Sequence, residues 1–116
     1  MSVMAYEVRR QGKSIVITVT PAGGDMVANI NRWRGQITLP PASADEIQSA
    51  VKRIDVGGKS GMFIELTNSD GQPPLSILGA IVDTGSQTWF VKLLGDAELA
   101  AAEKDHFDQF LKSLRL

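Results

Sequence analysis

Residues 75–94, LSILGAIVDTGSQTWFVKLL, contain an Asp-Thr-Gly-Ser tetrapeptide at positions 83–86, and its reading decides the fold. Taken as chemistry, Asp83-Thr84-Gly85 is the loop that brings one catalytic carboxylate to the water in an aspartic protease. That chemistry needs a second carboxylate, because a shared proton exists only where two like charges cannot both ionise. One loop per chain would therefore demand a dimer, and retroviral proteases place the loop early, ahead of a flap and a closing strand and helix. Only 33 residues follow Asp83 here, enough for one strand and a helix and no flap. Taken as punctuation, Asp, Thr, Gly and Ser are turn residues joining two apolar, β-rich runs. Residues 75–83 and 87–94 then form a long hairpin, and the chain is built around an antiparallel sheet.

Working outward, the N-terminal segment makes a second hairpin. Tyr6, Val8 and Arg10 alternate with Glu7 and Arg9, Gln11-Gly12 supplies a two-residue turn, and Lys13 to Thr20 carries a β-branched run expected to be buried largely on both faces. Asp25 is positioned to cap a helix whose Met26, Ile30, Trp33 and Ile37 share one face. Pro40-Pro41 stops it, and Ser43 with Glu46 forms a capping box for a short helix carrying Ile47, Ala50 and Val51. Arg53–Val56 and Gly61–Thr67 flank Gly57-Gly58-Lys59-Ser60 as a third hairpin. Gly79, inside an otherwise bulky strand, predicts a bulge or a close backbone approach. Gly95-Asp96 opens one long final helix with Leu99, Phe107, Phe110, Leu111 and Leu114 as its apolar stripe. The predicted order ββααββββα is an α+β fold, an antiparallel sheet covered by helices, in one domain over residues 1–116.

Composition excludes several function classes. A net charge of −1, with 43% hydrophobic and 22% charged residues, describes a globular domain without an overall field for nucleic acid. The charge is unevenly spread: residues 1–40 hold five basic and two acidic groups, residues 41–116 seven and eleven. With no cysteine there is no thiolate nucleophile, disulfide or thiolate metal site. No apolar run is long enough to span a bilayer, so no direct membrane insertion is expected of this chain. Gly58-Lys59-Ser60 matches the end of a phosphate-binding loop, but the first glycine of that signature falls on Arg53 and the segment leads into a strand. His106 is the only histidine, beside Asp105 and Asp108, and reads as part of a solvated helix face rather than a metal site. No cofactor, metal ligand or catalytic residue is expected.

Asn31-Arg32-Trp33-Arg34-Gly35-Gln36 is the stronger functional candidate. Trp33 belongs to the apolar stripe, while Arg32 and Arg34 point elsewhere, to pair with the acidic second half or to meet an acidic partner, and are the expected interaction surface. Two alternatives stand beside it. One is a hydrolase using Asp83 with Glu65 or Asp55 as companion carboxylate. The other is a small-ligand carrier with Trp33 or Trp89 lining a pocket between sheet and helix.

Residues 29–36, the Leu39-Pro40-Pro41 that follows, Ile77–Ile81, Gln87–Leu93 and the ending Phe107–Leu114 together resemble, in order, a bacterial family of unknown function found in planctomycetes and relatives. The resemblance covers about residues 24–116. It implies a Mog/PsbP-like fold, an antiparallel sheet sandwiched by helices. It also implies a longer exported precursor of which this chain is the C-terminal part, periplasmic or anchored through a segment outside it. Better-known proteins of that fold act by binding, one on Ran in nuclear transport and one in the photosynthetic oxygen-evolving complex; those functions do not transfer with a fold. The expectation is a non-catalytic binding or accessory domain acting on a protein partner at the cell envelope, with no nucleic acid involved.

Overall fold

Gln11 and Gly12 both adopt positive φ, 54° and 78°, the geometry of a tight hairpin turn whose twist matches its strands. They join β1 (Met4–Arg10) to β2 (Lys13–Ala22) in the register Arg10 opposite Lys13 through Met4 opposite Val19. This is a computed structural model, and it describes residues 4–116. After β2 come α1 (Met26–Gln36) and α2 (Ala44–Ala50), then β3 (Lys52–Val56), β4 (Lys59–Asn68), β5 (Leu75–Asp83) and β6 (Thr88–Asp96), and last α3 (Ala97–Ala102) and α4 (Lys104–Ser113). The six strands form one fully antiparallel sheet in the order β1-β2-β6-β5-β4-β3.

Alternation along the central strands splits the core in two. Ile77 and Ile81 of β5, with Ile64 and Leu66 of β4, meet Ile30, Trp33 and Ile37 of α1 and its C-cap and Ile47 of α2. Leu78, Ala80 and Val82 of β5, with Val91 and Leu93 of β6, meet Leu99 and Ala100 of α3 and Phe107 and Leu111 of α4. One helix pair therefore lies on each face. Because both faces of β5 are covered, its buried residues run without a break from Ser76 to Val82.

The helix starts follow the sequence. The Asp25 carboxylate accepts from Ala28 N at 3.0 Å, and Ser43 and Glu46 make the reciprocal capping box at 3.2 and 3.0 Å. Asp96 accepts from Leu99 N at 2.9 Å. Two expectations need correction. The final helix is two, α3 and α4, turning at Glu103, whose φ of −98° and ψ of 6° leave the helical region, so the order is ββααββββαα. The bend lets α3 lie against β2, β5 and β6 while α4 reaches β3. In addition, β2 is buried on one face only. Ile15 and Val19 are enclosed, but Val16 stays 37% exposed because neither α1 nor α2 extends over the β1–β2 hairpin.

Candidate functional site

The arginines predicted to form an interaction surface have unequal duties. Arg34 is half-buried and its Nε donates to the Pro40 carbonyl at 2.7 Å, while Asn31 exchanges two bonds with Ala42, at 3.0 and 2.8 Å. Both side chains stitch the α1–α2 connection. Trp33 is core, and Arg32 alone points into solvent. Sequence reading missed a neighbour of Arg32. Lys92, on the same face of β6, donates to Gln36 Oε1 at 2.7 Å, and its amine is held below the ordinary lysine range by burial and then by the nearby Arg32 charge. The basic patch beside α1 therefore consists of Arg32 and Lys92.

Asp83 sits in an exposed turn. Its carboxylate accepts from Gly85 N at 2.8 Å, and Thr84 N and Oγ1 both donate to the Gln87 carbonyl, at 2.9 and 3.0 Å. It borders a groove of about 480 Å³ at the ends of the strands, in which it is the sole acidic residue among the described lining. Glu65 projects from the other face of the sheet and pairs with Lys104 at 2.7 Å. Asp55 lies on β3, with β4 between it and β5, so the two backbones are roughly 10 Å apart. Its carboxylate accepts from Gly58 N at 3.0 Å. Neither proposed companion stands beside Asp83.

The third location lies between β1–β2 and α4. Tyr6, Val8, Ile15, Ile17 and Leu93 on the sheet face Phe107 and Phe110 on the helix across an open groove of about 490 Å³. Tyr6, 48% exposed, meets Phe110 edge to face with ring centres 5.7 Å apart. Neither Trp33 nor Trp89 lines this space; the aromatic walls are Tyr6, Phe107 and Phe110. One end is closed by three charged or polar groups. Glu103, 8% exposed, receives Arg10 Nε at 3.3 Å on one carboxylate oxygen and His106 Nδ1 on the other. Among the described residues no group of three potential ligands forms a metal site.

No protein-family model and no curated protein matches this sequence. Among solved structures it is similar to PA94 of Pseudomonas aeruginosa, a protein of unknown function with a suggested regulatory role. The alignment covers 97% of this chain and 81% of that one, with a TM-score of 0.56 and 13% identity. What the two share is a fold.

Glu103 was legible in principle. It lies four residues after Leu99 and four before Phe107, an acid placed on the apolar stripe of the last helices. Its carboxyl is held below the usual glutamate range, first by the His106 hydrogen bond and then by Arg10, against the opposing effect of burial. A depressed carboxylate stabilises the fold above its unfolded-state value and loses that contribution as pH falls through the folded one. The denaturation midpoint is therefore expected to drop more steeply below about pH 4.5 in the wild type than in Glu103→Gln. Urea unfolding at several acidic pH values checks this; parallel curves for the two proteins would show that Glu103 does not set the acid limb.

Proposed function

We propose that this chain is a non-catalytic binding or accessory domain on a Mog/PsbP-like fold, acting through protein–protein contact at the cell envelope. The observation that supports it is the apolar groove between β1–β2 and α4. It is open to solvent and walled by aromatic and branched side chains, and its polar groups, Arg10, Glu103 and His106, are engaged with one another rather than converging on a reacting atom. The helix pair on each face of the sheet supports the fold assignment. An envelope location, periplasmic or anchored through a segment outside this chain, belongs to the same proposal, and no nucleic-acid partner forms part of it.

The test is capture from the envelope and soluble fractions of the source cell, comparing the wild type with Tyr6→Asp and Arg32→Glu. Loss of a specific protein with Tyr6→Asp alone places the contact in the groove, and loss with Arg32→Glu alone moves it to the patch beside α1. Equal capture by all three proteins would overturn both sites. A second reading, carriage of a small apolar ligand, draws on the groove's 490 Å³, within the range of small-molecule sites of about 300–1,000 Å³. An uncharged environment-sensitive dye is then expected to bind the wild type at least ten-fold more tightly than Tyr6→Asp. The hydrolase alternative has less behind it, since the Asp83 carboxylate is turned to Gly85 N and borders a groove with no other acid among its described lining.

A further inference from the structure

The outer edge of β1 has no strand beside it among the described residues. It runs seven residues, Met4 to Arg10, with no proline and no interruption in its pairing to β2. Long free edges of this kind are templates for another strand, and proteins usually blunt them. The tight Gln11-Gly12 turn fixes which backbone groups are free. In a two-residue hairpin the flanking pair, Arg10 and Lys13, exchanges both bonds, so Arg10, Val8, Tyr6 and Met4 bond inward. Ala5, Glu7 and Arg9 then present their N–H and C=O groups outward.

The side chains at those outward positions select a partner. We propose that β1 pairs antiparallel with β1 of a second copy of this chain about a two-fold axis at Val8. In that register Glu7 lies opposite Arg9 of the second copy, and Arg9 opposite its Glu7, giving two symmetric ion pairs in the bonded positions. Shifting the axis by one residue, to Glu7, places two glutamates face to face, and the charge pattern therefore selects Val8. Within one chain the same two side chains already pair at 3.1 Å on the exposed face, and the two intermolecular pairs replace that one contact in each copy. On the other face Val8 meets Val8 and Tyr6 lies opposite Arg10. The two grooves become neighbours there, forming one apolar trough between two α4 helices.

The opposite edge is less open. β3 has five residues, its Asp55 carboxylate is occupied by Gly58 N, and its turn is tied to α4 through Gly57 N donating to the Leu111 carbonyl at 2.9 Å. A two-fold dimer through β1 leaves one β3 edge at each end of a twelve-stranded sheet, and because that edge is less open the assembly stops at two copies rather than propagating. This inference is independent of the partner proposed above.

The absence of native cysteine makes a single introduced thiol a clean reporter. Residues opposite each other at a non-bonded position lie about 4.5 Å apart at Cα, within reach of a disulfide. Under mild oxidation Val8→Cys is expected to give a covalent dimer, while Tyr6→Cys, Glu7→Cys and Ile54→Cys do not. Sedimentation of the wild type is expected to show a concentration-dependent dimer. Glu7→Arg weakens it about ten-fold, and Glu7→Arg with Arg9→Glu restores it to within about three-fold. Monomer at every concentration overturns the proposal. So does cross-linking through position 6, 7 or 54 instead of 8, or a doubly exchanged protein that stays as weak as the single variant.

Discussion

Gly79→Ala is expected to destabilise the domain by at least about 2 kcal/mol, lowering Tm by roughly 10 °C. A Cβ built at position 79 would stand 2.2 Å from Trp33 Cζ3, 2.8 Å from Cη2 and 3.0 Å from Cε3. The indole of α1 therefore rests directly on the β5 backbone. Pairing through Gly79 is regular, with Ile64 on one side and Lys92 on the other, so of the two expectations for this glycine the close approach is correct and the bulge is not. The ring cannot move aside cheaply, because it is 4% exposed and meets Phe90 edge to face at 5.3 Å. Trp33→Ala, which empties the same space, is expected to cost about 3–5 kcal/mol. The informative protein is the double variant. If the clash is the cause, Gly79→Ala should cost less in a Trp33→Leu background by about 1–2 kcal/mol, read from urea unfolding. Simple additivity would mean that the glycine is required for another reason.

Gly57→Ala carries the second large effect. Its φ is +59°, and a Cβ there would come within 2.0 Å of the Leu114 carbonyl oxygen. Backbone is what it meets, so the last residues of the chain would have to shift, together with Leu114, which is buried to 6% exposure. Gly58 provides the comparison: φ is +86°, yet nothing lies within 4 Å of its Cβ position. We expect Gly58→Ala to cost about 1–2 kcal/mol from backbone strain alone. Gly57→Ala is expected to cost about 2 kcal/mol more, with faster amide exchange in α4. Equal losses for the two variants would show that the approach to Leu114 relaxes freely.

Much of the fold was legible because its signals are local. The Asp83–Ser86 segment is a turn between β5 and β6, the Ser43–Glu46 capping box opens α2, and the spacing of Ile30, Trp33 and Ile37 marks the face that α1 buries. What was missed depends on contacts distant in sequence. Three alanines before Glu103 favour continuous helix, and the turn at Glu103 goes with a carboxylate held by Arg10, 93 residues away. Arg34 looked free because its acceptor is a backbone carbonyl, which no side-chain pattern reveals. The groove was invisible for a similar reason: Tyr6 and Val8 alternate as any edge strand does, and only the placement of α4 turns that face into a wall.

The strand order has a consequence for how the chain is made. β2, completed by Ala22, pairs with β6, which begins at Thr88. The β1–β2 hairpin leaves the ribosome well before β6 and must wait for it before it is joined to the sheet, and α3 and α4, which cover that junction, are synthesised later still. Long-range strand pairing of this kind folds slowly. Until β6 is made, β1 and β2 are a lone two-stranded ribbon, which is marginally stable in water. A nascent chain stalled before residue 88 would thus expose Ile15, Ile17 and Val19 together, whereas in the folded domain Ile15 and Val19 are enclosed and only the groove wall stays within reach of solvent.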